Sequence, residues 1–180
     1  MEVTDEVIEL LKEAPFKKEI DGKMICAEMI NQSELVYIFG GGHVAQQLVP
    51  TLSRVNFNCI VIEDREEFAR KELFEGVFDT RLIDMKKLDE VCKEIRENDY
   101  ICVMTRGHVN DYEVEKAALK TPAKYIGVIG SRRKVAGVNQ KLRADGYKDE
   151  DLKRITTPIG LEILAELSLI HISEPTRPRL

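Results

Sequence analysis

Gly40-Gly41-Gly42-His43-Val44-Ala45 stands between two segments of different periodicity. Before it, Leu35-Val36-Tyr37-Ile38-Phe39 is apolar at every position, the pattern of a strand buried on both faces. After it, Val44, Leu48, Leu52 and Val55 recur at helical spacing. The junction fits G-x-G-x-x-A. Gly40 permits the tight turn, Gly42 lets backbone approach a phosphate, and the small Ala45 lets helix and strand pack closely. The free amides that open such a helix, together with its dipole, favour an anion there. A scaffold that keeps the glycines for packing alone, with no ligand, stays open at this point.

The rest of the chain repeats the alternation. Cys59 to Ile62 is a second buried run, closed by Glu63-Asp64, and residues 66–72 read as helical. Thr80 to Leu82 reads as a short strand, and Met85, Leu88, Val91, Cys92 and Ile95 as a helical stripe. Strands follow at 101–104 and 125–129, helices at 111–119, around Val135, Val138 and Leu142, and at 148–154, and an edge strand at 155–157. Continuous apolar strands alternating with helices predict an α/β fold, a doubly wound, mostly parallel sheet with helices on both faces. Residues 1–34 read as an appendage, with a helix over 6–13 and a strand over 23–29.

In such a sheet, ligands bind beyond the C-terminal ends of the strands. Gly40, Gly41, Gly42 and His43 lie at one such end. Glu63 and Asp64 lie at the next, where a carboxylate can accept from a ribose hydroxyl. Thr105, Arg106, Gly107 and His108 follow another strand, with a hydroxyl, a guanidinium and an imidazole at the rim. Gly130 closes the next strand; Ser131 can cap the helix after it. Arg132, Arg133 and Lys134 then fall in a first turn, where positive charge opposes the dipole and a bound anion would relieve it. Neither His43 nor His108 has a nucleophile nearby in sequence, so a hydrolase triad finds no support.

These segments, with Thr157-Pro158-Ile159-Gly160-Leu161, together resemble the Rossmann domain of the xanthine dehydrogenase accessory protein family (XdhC/CoxI type), in order and spacing, across residues 35–163. The resemblance implies an accessory role: binding molybdenum cofactor (molybdopterin), and assisting its sulfuration and insertion into a molybdenum hydroxylase apoenzyme such as xanthine dehydrogenase. A sulfurtransferase (cysteine desulfurase) is a further implied partner. On that reading the glycine turn takes the phosphate, and the loops at 105–108 and 130–134 help hold the pterin. Two rivals stand beside it: an NAD(P)-dependent oxidoreductase with Glu63 or Asp64 on the ribose, and a ligand-free docking module, with homodimerisation left open.

Composition narrows the field. Lys and Arg number 27 against 32 Asp and Glu, a net charge of −5 that gives no footprint for nucleic acid. No apolar run approaches the ~18 residues of a membrane span. The opening Met1-Glu2-Val3-Thr4-Asp5 lacks a signal-peptide pattern, so the expected compartment is cytoplasmic. Cys59 and Cys102 sit in apolar runs and read as buried free thiols. The three histidines are too dispersed for a metal site. Residues 164–180 depart from the family pattern; from Leu167 they read like a translated sequencing adapter, which makes the tail an expected artefact.

Overall fold

The computed structural model describes residues 16–20, 23–27, 34–84, 87–106 and 108–160. The expected helix over 6–13, Gly107 and the tail from 164 lie outside the described residues. Two units divide the chain, 1–33 and 34–180. In the first, β1 (Phe16–Ile20) pairs antiparallel with β2 (Lys23–Ala27).

The second unit carries β3 (Leu35–Phe39), α1 (His43–Arg54), β4 (Asn58–Glu63), β5 (Asp79–Leu82), α2 (Leu88–Cys92), β6 (Tyr100–Val103), α3 (His108–Leu119), β7 (Tyr125–Val128), α4 (Arg132–Ala144), α5 (Asp149–Leu152) and β8 (Ile155–Thr156). The strands form one sheet in the order β5-β4-β3-β6-β7-β8. Every pairing in it is parallel. Side chains alternate across the pleat, so a strand apolar at every position feeds two cores. Val36 and Ile38 pack with Ala45 and Val49 of α1 and with Val61 and Phe74. Tyr37 and Phe39 pack on the other side with Leu88 of α2, Val114 and Ala118 of α3, and Val138 and Leu142 of α4. The expected α/β sheet with helices on both faces is the observed one. The chain runs outward from β3 to β5, then returns to β6 on the other side of β3, which makes the β3–β6 boundary the switch point of the sheet.

Two expected elements differ. Residues 66–72 form two short 3₁₀ turns, Glu66–Phe68 and Lys71–Leu73, in place of one helix. The Phe68 carbonyl is pressed against the glycine turn, too close for a Cβ on Gly41. Among the described residues of the apolar stripe from 85 to 95, the α-helix is the short α2, and Ile95 beyond it is buried.

Asp99 fastens the opposite edge of the sheet. Its carboxylate accepts from the Leu35 N–H at the start of β3 (3.0 Å) and from the Arg96 N–H (2.8 Å). The Arg96 guanidinium donates to both of its oxygens. Its backbone carbonyl accepts from Lys124 N–H, just before β7. Burial opposes ionisation, but Arg96 and the backbone amides hold the carboxyl below its ordinary range. Replacing Asp99 with Ala leaves the Leu35 and Arg96 donors without this acceptor, while the backbone bond from Lys124 is kept. Urea unfolding of Asp99→Ala is expected to show a loss of about 3 kcal/mol. A loss below about 1 kcal/mol would show that the start of β3 and the turn at Arg96 do not depend on this carboxylate.

Candidate functional site

Gly40 takes φ +110°, a region that L side chains rarely enter. A Cβ there would stand 2.5 Å from the Met104 carbonyl oxygen and 3.0 Å from Thr105 Cα. The Met104 N–H donates to Phe39 O at 2.8 Å, and the Gly40 N–H donates to Ile62 O at 2.8 Å. The turn is thus sewn to the ends of both neighbouring strands. Gly42 opens α1 with extended backbone and no side-chain cap, and no acid stands in the first turn. Nothing lies within 4 Å of where its Cβ would be. An uncapped helix start facing open space at the switch point is suited to an anion. His43 is exposed at that start.

Glu63 ends β4 and is only 3% exposed. One carboxylate oxygen accepts from Gly41 N–H (2.8 Å) and Arg65 Nη2 (3.1 Å); the other accepts from Asp64 N–H (3.1 Å) and Arg65 Nε (3.0 Å). Burial pushes this carboxyl up, but the Arg65 and Gly41 hydrogen bonds win and hold it at about 2. Those four donors fill the lone-pair positions of a carboxylate. A ribose hydroxyl on Glu63 would have to displace one of them. Asp64 is the exposed acid of the pair, and its Oδ2 accepts from Asn110 Nδ2 of α3 at 3.2 Å. That bond links the β4 end to the α3 start across the end of β3.

Thr105 is buried and donates through Oγ1 to Asp111, which is wholly buried on α3. The Lys134 ammonium of α4 pairs with the other oxygen of Asp111. Glu115, one turn further along α3, is 4% exposed. Burial and the neighbouring Asp111 push its carboxyl up to about 7, against a smaller pull from Lys134. The basic first turn of α4 is therefore neutralised in part within the chain, by Asp111 on Lys134. Ser131 caps α4, its Oγ accepting from Lys134 N–H at 3.3 Å. Arg106 and Arg133 are exposed, and the half-buried Gly130 directly precedes Ser131. His108 begins α3 and Arg132 begins α4; their side chains lie outside the described residues. Thus the glycine turn bonds Glu63 and lies against Thr105 at neighbouring strand ends, with Asp64 beside Glu63, while Ser131 and Arg133 stand beyond β7. Cys59 and Cys102 are buried free thiols, pushed up by burial to about 11 and about 12. Among the described residues no helix is long and apolar enough to cross a membrane.

The XdhC Rossmann domain matches this chain over residues 36–168. The chain belongs to that family. The match begins one residue after the expected start at 35 and runs five residues past the expected 163. The chain is also 26% identical over 131 residues to the uncharacterized protein YqeB of Escherichia coli K12, covering 72% of this chain and 24% of that one. A crystal structure described as a xanthine dehydrogenase from Bacillus halodurans superposes with a TM-score of 0.62 at 25% identity, covering 74% of this chain and 39% of that one. The chain thus spans well under half the length of either relative.

The raised Glu115 carboxyl sets a pH dependence. Between its ordinary 4.5 and about 7 the folded chain holds a proton that the unfolded chain has released. Stability from this group is full below 4.5, falls as pH rises toward 7, and is level above it, by roughly 3 kcal/mol in all. Denaturant titrations across that interval should show the decline in the parent chain and a flattened profile in Glu115→Gln. An undiminished slope in the variant would assign the proton elsewhere.

Proposed function

We propose that this chain is the Rossmann portion of an accessory protein that binds molybdenum cofactor and assists its sulfuration and insertion into a xanthine dehydrogenase-type molybdenum hydroxylase. A cytoplasmic setting, the apo-hydroxylase as partner and a sulfurtransferase as sulfur source are parts of the same reading. Family membership supports the accessory role. The observation that carries ligand binding is the uncapped start of α1 at Gly42, open and set at the switch point.

The residues present fit a phosphate-bearing ligand. Gly42 leaves space for close approach, and the first amides of α1 can donate to a phosphate. Arg106, exposed after β6, stands where a guanidinium can orient a pterin ring; the Thr105 hydroxyl is taken up by Asp111. The cofactor's own contribution, molybdenum redox chemistry, serves the enzyme that receives it. What this chain does is hold, orient and shield.

A second reading, a dinucleotide-binding oxidoreductase, draws on the strand order and on Asp64, the exposed acid at the end of β4. Anaerobic titrations separate the two. The accessory reading expects molybdenum cofactor to bind at micromolar strength or better and NAD(H) to bind far more weakly. Gly42→Val fits the extended backbone and open space at that position, so its fold should be kept while cofactor affinity drops at least ~10-fold. NAD(H) binding with no affinity for the cofactor would favour the oxidoreductase; binding of neither would favour a docking module.

A further inference from the structure

Lys134 faces two ways. Its ammonium pairs with the buried Asp111, and its side chain also lines a cavity of about 440 Å³ along α4. Ser131, Arg133, Gly137, Val138 and Lys141 complete the described lining. The wall therefore offers three cations, a hydroxyl and an apolar floor, with no carboxylate among the described lining residues. Nothing lies within 4 Å of where a Cβ on Gly137 would stand, so the floor is open. That volume suits a small molecule, and guanidinium and ammonium groups together match the geometry and charge of a phosphate. Behind Lys134 lie two buried carboxyls served by one ammonium, and Glu115 has no hydrogen-bond partner among the described residues.

We propose that this cavity is a binding site for a small phosphate-bearing molecule, and that its occupation is linked to uptake of a proton by Glu115 behind Lys134. The site follows β7, two strand positions from the glycine turn, and it stands whatever that turn holds. The linkage follows from charge. Among the described residues, the charged groups acting on Glu115 are Asp111 on its own helix and Lys134 from α4, while Thr105 reaches Asp111 from the β6 end. An anion in the cavity draws on the Lys134 charge and leaves the two carboxyls less compensated. Holding a proton on Glu115 then becomes more favourable. Burial already brings the Glu115 proton near neutral pH, so affinity should rise as pH falls through that range.

Sulfate is the probe, because its charge does not change across the interval. Calorimetric titration of the full chain should show sulfate binding at least ~5-fold tighter at about pH 6 than at about pH 8.5. Glu115→Gln should bind at both pH values with a ratio near one. Lys134→Met would strand Asp111 in the interior and threatens the fold, so the cavity is tested through Gly137→Leu. That change favours the helix and fills the open floor, so it should melt no lower than the parent chain and lose sulfate binding. No saturable binding up to about 50 mM sulfate, binding that survives Gly137→Leu, or an unchanged pH ratio in Glu115→Gln would each overturn the proposal.

Discussion

The α-carbon of Gly40 lies so close to the end of β6 that a Cβ there would stand 2.5 Å from the Met104 carbonyl oxygen. This approach decides the architecture of the site. It lets β3 and β6 run side by side to their last residues, with Met104 N–H closing onto Phe39 O. It directs the chain, through Gly41 and Gly42, into the start of α1 with free amides pointing outward. Glu63 then braces the turn from the β4 side by accepting from Gly41 N–H. Each of these contacts presupposes the absence of a side chain at position 40.

Around the turn, the polar groups divide into those bonded within the protein and those left toward solvent. Glu63 and Arg65 belong to the first kind: four donors converge on one carboxylate, and its charge is spent inside the protein. Thr105, Asp111 and Lys134 form a second brace, tying the β6 end to the starts of α3 and α4. Buried ion pairs of this sort add little net stability over apolar packing, but losing one partner is costly. Their effect is therefore positional. Gly42, His43, Asp64, Arg106 and Arg133 make up the second kind, and they lie along the strand-end edge of the sheet.

Most of the fold was legible because buried parallel strands announce themselves as unbroken apolar runs. Leu35 to Phe39 and Cys59 to Ile62 are such runs, and both proved to be central strands. The glycine spacing identified the turn for the same reason: its backbone geometry admits few residues. The misses have physical causes. β1 reads Phe-Lys-Lys-Glu-Ile and lacks an apolar run; the Asp21-Gly22 pair between it and β2 is a hairpin signal that sequence alone offers. The residues at 66–72 look helical by composition, yet they form two 3₁₀ turns, with the Phe68 carbonyl set against Gly41. The Asp111–Glu115–Lys134 cluster stayed hidden because carboxylates on a helix are read as solvent-facing. The available signal was that Asp111, Val114, Glu115 and Ala118 share one arc of α3, so an apolar stripe there must bury acids with it. The four donors on Glu63 are three-dimensional facts that no spacing encodes.

Amide hydrogen exchange, recorded with and without molybdenum cofactor under anaerobic conditions, addresses the glycine turn as ligand seat most directly. The account predicts new protection concentrated at the start of α1, from Gly41 to Gln46, and in the segment after β6 at Met104 to Arg106. The edge strand β5, Asp79–Leu82, should exchange unchanged. Protection confined to other parts of the sheet, or bound cofactor with no change at the start of α1, would contradict it.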